Sequence, residues 1–221
     1  MEQIVRILHI GFVTHDVKQF IVTCPEGFDF EPGQGVELAL DEKGWSEEGR
    51  PFTPTSRKGG PVLEFTIKVY HDHEGVTRKL GAARPGDALR MSEPFGTITY
   101  QGPGVFLAAG AGLTPFLGIL RNLDAGDELE RCSLLFSNRT PADVIAEKEL
   151  RHLLGDRCHF TCTRESAPGY DGRRIDRAYL EEKLEDLDRP LYLCGPLEFV
   201  DGVREALVSM GADPSRIVLE E

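Results

Sequence analysis

The chain has 221 residues, with 25 Lys and Arg against 37 Asp and Glu, giving a formal net charge of −12. This acidity, with no basic cluster longer than two residues, excludes a nucleic-acid partner, because nothing in it can track a phosphate backbone. Forty per cent hydrophobic and 28% charged residues exclude a disordered or fibrous chain, and the apolar runs fall far short of the ~20 residues a membrane span needs. Residues 1–6 show no basic start leading into an apolar stretch, so no secretory signal is expected and the expected location is cytoplasmic.

From residue 4 to about residue 100, short alternating runs are broken by Gly and Pro. Runs at 5–14, 20–24, 36–40, 63–69, 88–91 and 98–100 read as strands. In the fourth, Leu63, Phe65, Ile67 and Val69 share one face, and Glu64, Thr66 and Lys68 the other. Pro25-Glu26-Gly27, Pro32-Gly33, Gly59-Gly60-Pro61 and Pro85-Gly86-Asp87 mark turns, and only 77–83 looks helical. Such spacing predicts a small antiparallel barrel. After Gln101-Gly102-Pro103-Gly104 the texture changes. Continuous apolar runs at 105–109, 132–136, 158–163 and 191–194 alternate with helical segments at 115–123, 142–154, 177–184 and 198–210, the last closed by Gly211. Buried strands alternating with helices predict a parallel sheet covered on both faces. The expected fold class is therefore two-domain: an antiparallel β-barrel over residues 1–101, then an α/β parallel-sheet domain over 102–221. In such sheets ligands bind beyond the carboxyl ends of the strands, which directs attention to the loops after residues 109, 136, 163 and 194.

The five cysteines, Cys24, Cys132, Cys158, Cys162 and Cys194, form no C-x-x-C pair, which excludes a zinc ribbon and a cysteine-held iron–sulfur cluster. His9, His15 and His159 lack metal-ligand spacing, and His71 and His73 flank Asp72 near a loop, so no metal centre is expected. Three segments carry chemistry. Gly110-Ala111-Gly112-Leu113-Thr114-Pro115 follows a strand and opens a helix; its glycines permit close approach to a ligand, Thr114 is a candidate cap, and the helix N-terminus favours an anion. Arg50-Pro51-Phe52-Thr53, between strands, combines a cation, a flat ring and a hydroxyl. Gly75-Val76-Thr77 precedes the short helix and could also hold a phosphate. Taken singly, each fits equally well a tight turn, a polar loop with one buried Phe, or an ordinary helix start.

Taken in order, with Ile67-Lys68-Val69-Tyr70, Glu93-Pro94-Phe95-Gly96 and Cys194-Gly195-Pro196, these segments resemble the ferredoxin–NADP reductase superfamily over nearly the whole chain. The resemblance implies a flavoenzyme that takes a hydride from NAD(P)H onto FAD and passes electrons to a separate ferredoxin- or flavodoxin-type protein. It implies that Arg50 meets the flavin phosphates, Phe52 (after Pro51) stacks on the ring, and Thr53 bonds the reactive nitrogen. Ile67, Lys68 and Val69 would line the ribityl chain, and Gly75, Val76 and Thr77 the diphosphate. Gly110, Gly112 and Thr114 would receive NADPH or NADH, with Cys194, Gly195 and Pro196 beside the nicotinamide. Arg139, Arg164 and Arg173 or Arg174 are the candidates for reading a 2′-phosphate, favouring NADPH, although Asn138-Arg139-Thr140-Pro141 also resembles a loop of NADH-using members. Unlike many members, the chain shows no aromatic residue near its end, so either the flavin face is more open or another group covers it; Glu220 is a candidate proton relay or a solvated surface group. Trp45 is a loop anchor or a cover for the adenine half. The electron-accepting protein would dock on Arg57, Lys58, Lys68, Arg78 and Lys79. Two alternatives stand beside this reading: a reductase of free flavin or ferric chelates, and a non-catalytic flavin-binding electron-transfer subunit.

Overall fold

The computed structural model describes residues 2–70, 74–96, 98–124 and 127–220. Its first part is an antiparallel sheet of β1 (Gln3–Phe12), β2 (Val17–Thr23), β3 (Val36–Leu40), β4 (Arg50–Phe52), β5 (Val62–Lys68) and β6 (Ala88–Met91), in the order β4-β3-β6-β1-β2-β5. A bridge between Pro54 and Phe65 joins the two edges, so the sheet is a nearly closed barrel. Period-two patterning explains the closure: Val5, Ile7, Phe20, Val22, Leu38 and Phe65 all point inward and are buried. Helix α1 (Val76–Ala82) plugs the barrel with Val76 and Leu80.

The second part runs β7 (Val105–Ala109), α2 (Thr114–Leu123), β8 (Ser133–Asn138), α3 (Glu147–Leu154), β9 (Cys158–Cys162), α4 (Arg177–Lys183), β10 (Leu191–Cys194), α5 (Leu197–Ser209) and β11 (Ile217–Leu219). Its five strands are parallel, in the order β11-β10-β7-β8-β9. Both faces are buried, which is why its strands read as unbroken apolar runs. Phe106 and Ala108 pack under α2 and α3, against Phe116, Leu120 and Leu150. Val105, Leu107, Leu191 and Leu193 pack on the opposite face, against Leu180 of α4 and Leu207 of α5. The connection between the two parts is pinned to the second. Tyr100 stacks on Tyr192 with ring centroids 6.0 Å apart. The Tyr192 hydroxyl accepts from Gln101 N–H (2.8 Å) and donates to the Gly102 carbonyl (2.7 Å).

Several local expectations are corrected. Arg50–Phe52 is an edge strand paired with β3, not a connection between strands. Residues 98–100 form no strand, because Ile98 is tied to the Gly33 carbonyl and Tyr100 to Tyr192. The helix expected over 142–154 is divided. A 3-10 turn, Pro141–Asp143, starts from a Thr140/Asp143 capping box, and α3 begins only at Glu147, after Ala146 in the left-handed region (φ 53°). Thr114 is not a cap either: a 3-10 turn over Gly110–Leu113 leads straight into α2, making Thr114 its first residue. Among the described residues, no helix is long and apolar enough to cross a membrane.

Candidate active site

A cavity of about 580 Å³ lies where the barrel faces the carboxyl ends of the parallel strands. From the barrel, Pro51, Phe52 and Thr53 line it at the end of β4, with Ile67 and Lys68 on β5 and Thr77 on α1. From the parallel sheet come Gly110, Gly112 and Thr114 after β7, Arg139 after β8, and Cys194, Gly195 and Pro196 after β10. Segments some 140 residues apart in sequence thus share one wall-to-wall space, as the carboxyl-end rule for open α/β sheets anticipates.

Thr53 is only 7% exposed, and its hydroxyl has no hydrogen-bond partner among the described residues. Beside it, Phe52 packs partly into the barrel core while still lining the cavity. Lys68 lines the cavity too, its ammonium 2.7 Å from Asp16, whose carboxyl is held below its ordinary pKa: burial opposes this, but the hydrogen bond and charge of Lys68 outweigh it. Thr66, on the same strand, lines the cavity and is nearly buried.

Gly112 makes the parallel-sheet wall of the cavity possible. A β-carbon there would lie 2.4 Å from the Cys194 carbonyl oxygen and 2.5 Å from Gly195 N, so only glycine lets these two loops touch. The Cys194 thiol donates to a Glu220 carboxylate oxygen at 3.6 Å. Burial first, then the Glu220 charge, push this thiol far above its usual pKa, so it remains a neutral, compact group. Asn138 also lines the cavity; it is 5% exposed and its Oδ1 has no partner among the described residues. Neither residue spacing nor composition singled it out, although its place at the end of β8 is the position where such a group matters.

Other expected residues lie elsewhere. Arg50 is exposed, donating to the Gly49 carbonyl at 2.7 Å and lying 3.9 Å from Glu48; it does not line the cavity. Val69 and Val76 are buried core residues, and Gly75 precedes α1 with open space where a β-carbon would stand. Arg139 and Arg164 are neighbours: the Arg164 N–H donates to the Arg139 carbonyl at 2.8 Å, and neither guanidinium has a partner among the described residues. Arg173 differs. It is taken up by Asp171 (2.7 Å) and Glu182 (2.8 Å), and with Lys183 it holds the Glu182 carboxyl down to about 2. Trp45 packs against the barrel core under the Lys79 ammonium (5.1 Å to the ring centre) and does not line the cavity.

The five cations of the expected docking patch are each paired. Arg57 pairs with Asp124, Lys58 with Asp29 and Glu31, Lys68 with Asp16, Arg78 with Glu74, and Lys79 with Glu42. Each cation is met by a carboxylate, so their positive charge is locally offset, although Arg57 and Arg78 stay largely exposed. Among the described residues, His15, Asp16 and Asp143 bring ligand atoms together, but Lys68 already holds Asp16, and Thr140 donates its N–H and hydroxyl to Asp143. His71 and His73 lie outside the described residues.

Comparison with known proteins agrees with this architecture. Residues 5–100 match the family model for an oxidoreductase FAD-binding domain, and residues 106–205 that for an oxidoreductase NAD-binding domain. The reductase component of propane 2-monooxygenase from Rhodococcus jostii is 28% identical, with 98% of this chain and 62% of the relative aligned. The glycine betaine monooxygenase reductase subunit of Chromohalobacter salexigens is 30% identical, with 96% and 61% aligned. The chain thus spans less than two thirds of the length of these relatives. A ferredoxin NADP+ reductase structure from Neisseria gonorrhoeae superposes with a TM-score of 0.83 at 23% identity, over 95% of this chain and 92% of that one. The residues present suit both cofactors: a ring and an unpaired hydroxyl (Phe52, Thr53) on the barrel wall, and a glycine loop with an orphaned amide oxygen (Gly112, Asn138) on the other. Two matched models in tandem, on a barrel followed by a parallel sheet, establish that the chain belongs to the ferredoxin–NADP reductase superfamily and carries its FAD-binding and NAD-binding domains.

Proposed function

We propose that the chain is an NAD(P)H-dependent FAD reductase that delivers electrons to a separate, small, soluble redox protein, as the reductase components of oxygenase systems do. The observation that carries this reading is the shared cavity, with Phe52 and Thr53 on one wall and Gly112 and Cys194 on the other. FAD, when bound, accepts an electron pair from the nicotinamide and can release it one electron at a time. What the chain contributes is position. Phe52 offers a flat apolar surface, Thr53 a free hydroxyl donor and acceptor, and the neutral Cys194 thiol a small group over which a planar ring can lie.

Residues 1–101 are proposed to be the flavin domain and 102–221 the nucleotide domain. NADPH is the proposed nucleotide, supported by the paired loops of Arg139 and Arg164, whose guanidinium groups have no partner among the described residues. Arg173, engaged by two carboxylates, is a weaker candidate for the 2′-phosphate. Five thiols without a disulfide suit a cytoplasmic setting. The test is turnover of purified holoenzyme with an artificial one-electron acceptor and either nucleotide. Turnover supports the reading; retained flavin with no turnover would identify a docking subunit instead.

A further inference from the structure

We propose that Arg121 is a positioning residue, one that sets the gap between the flavin-binding wall at Thr53 and the nucleotide-binding turn that opens α2. The inference rests on the proposed function, since the gap matters only if two rings must meet there.

Arg121 lies two turns along α2 from Thr114 and Pro115, which line the cavity. Its side chain is 16% exposed and joins three segments. Nη1 donates to the Thr55 carbonyl at 2.7 Å and to the Glu64 carboxylate. Nε and Nη2 donate to the two carboxylate oxygens of Glu149, on α3, at 2.6 and 2.8 Å. Thr55 stands two residues beyond Thr53, and its hydroxyl bonds Glu64 at 2.9 Å. The guanidinium therefore ties the flavin-side segment directly to the helix that begins at the nucleotide turn.

Its neighbours extend the same seam. A β-carbon on Gly118 would sit 2.7 Å from the Pro54 carbonyl, so helix and segment touch backbone to backbone. One turn later, the Asn122 side-chain oxygen accepts from Lys58 N–H at 2.8 Å. Gly118, Arg121 and Asn122 are spaced i, i+3, i+4, one face of the helix, and that face follows residues 54–58. Arg121 is the only charge on this face with fixed, two-sided bonding: its planar fork is filled on one side by the barrel and on the other by α3. Its charge is secure, because bonds to Glu149 and Glu64 outweigh the cost of burial and raise its pKa. Were the fork removed, α2 could slide along residues 54–58 and widen the gap without unmaking either binding wall.

The experiment follows anaerobic reduction of the flavin in the holoenzyme by stopped flow, at rising NADPH, for wild type, Arg121→Met, Arg121→Lys and Glu149→Gln. Expected are retained flavin, a nucleotide Kd within about twofold of wild type, and a limiting reduction rate lowered at least about tenfold in Arg121→Met. Arg121→Lys and Glu149→Gln, which keep part of the bonding, should fall between. A limiting rate equal to wild type in Arg121→Met overturns the inference, as does a loss confined to Kd. Should Arg121→Met not fold, Glu149→Gln decides, because it keeps the shape and removes one charge: an unchanged limiting rate there overturns the inference. If wild-type flavin is not reduced at all, the proposed function fails instead, which separates the two.

Discussion

The backbone carbonyl of Cys194 occupies the place where a side chain on Gly112 would begin, 2.4 Å from the position of its β-carbon. The two loops proposed to receive the nucleotide are therefore in contact through their backbones. Gly112→Ala should force them apart, costing about 1–3 kcal/mol of stability by overpacking. It should also raise the KM for NAD(P)H by about tenfold or more while the flavin stays bound. Denaturant melts and steady-state kinetics on the same preparation check both.

Cys194 should be chemically quiet. Burial and the adjacent Glu220 carboxylate keep its thiol protonated well above neutral pH, and only the thiolate reacts. Mass spectrometry after brief iodoacetamide treatment at mildly alkaline pH should find Cys194 unmodified in the native protein and fully modified after denaturation. Rapid native labelling would show that the thiol is neither buried nor neutral.

Arg139→Ala and Arg164→Ala should each weaken NADPH by about 1.5–3 kcal/mol, roughly ten- to hundredfold in KM, with little effect on NADH. Arg173→Ala should not discriminate, because Asp171 and Glu182 already occupy that guanidinium. Comparing KM ratios for the two nucleotides across the three variants decides which arginines read the 2′-phosphate.

His159, on β9, provides a pH test of stability. Burial first, and then the charge of Lys183, lower its pKa from 6.5. Below 6.5 the unfolded chain takes up a proton that the folded chain resists, so stability is complete above that pH and falls as pH drops toward the folded value. The Tm of wild type should therefore fall more steeply on acidification than that of His159→Gln. Parallel slopes would remove His159 as a contributor.

The sequence makes some of this plain and conceals the rest for physical reasons. The strands at 36–40, 88–91, 105–109 and 191–194 are legible to the residue, because alternation or continuous burial leaves a local periodic trace. β4 is hidden because Pro51 argues against a strand, yet Pro is tolerated on an edge, and β4 is an edge. β11 is only three residues long and takes its strand character from pairing with β10. Within the site, glycine turns and hydroxyls stand out by type. Arg121 does not: its partners lie 57 residues before it and 28 after it, and no local spacing announces them. The pairing of Arg57 is hidden for the same reason, since its partner Asp124 is 67 residues away, whereas the Arg78–Glu74 pair lies at helical spacing.

The most direct test of the central claim is anaerobic addition of NADPH, and separately NADH, to the FAD-loaded protein while the visible flavin absorbance is followed. The account predicts complete bleaching by one equivalent of nucleotide, faster with NADPH than with NADH. A protein that binds no FAD, or whose bound FAD stays oxidised in excess of both nucleotides, would contradict it.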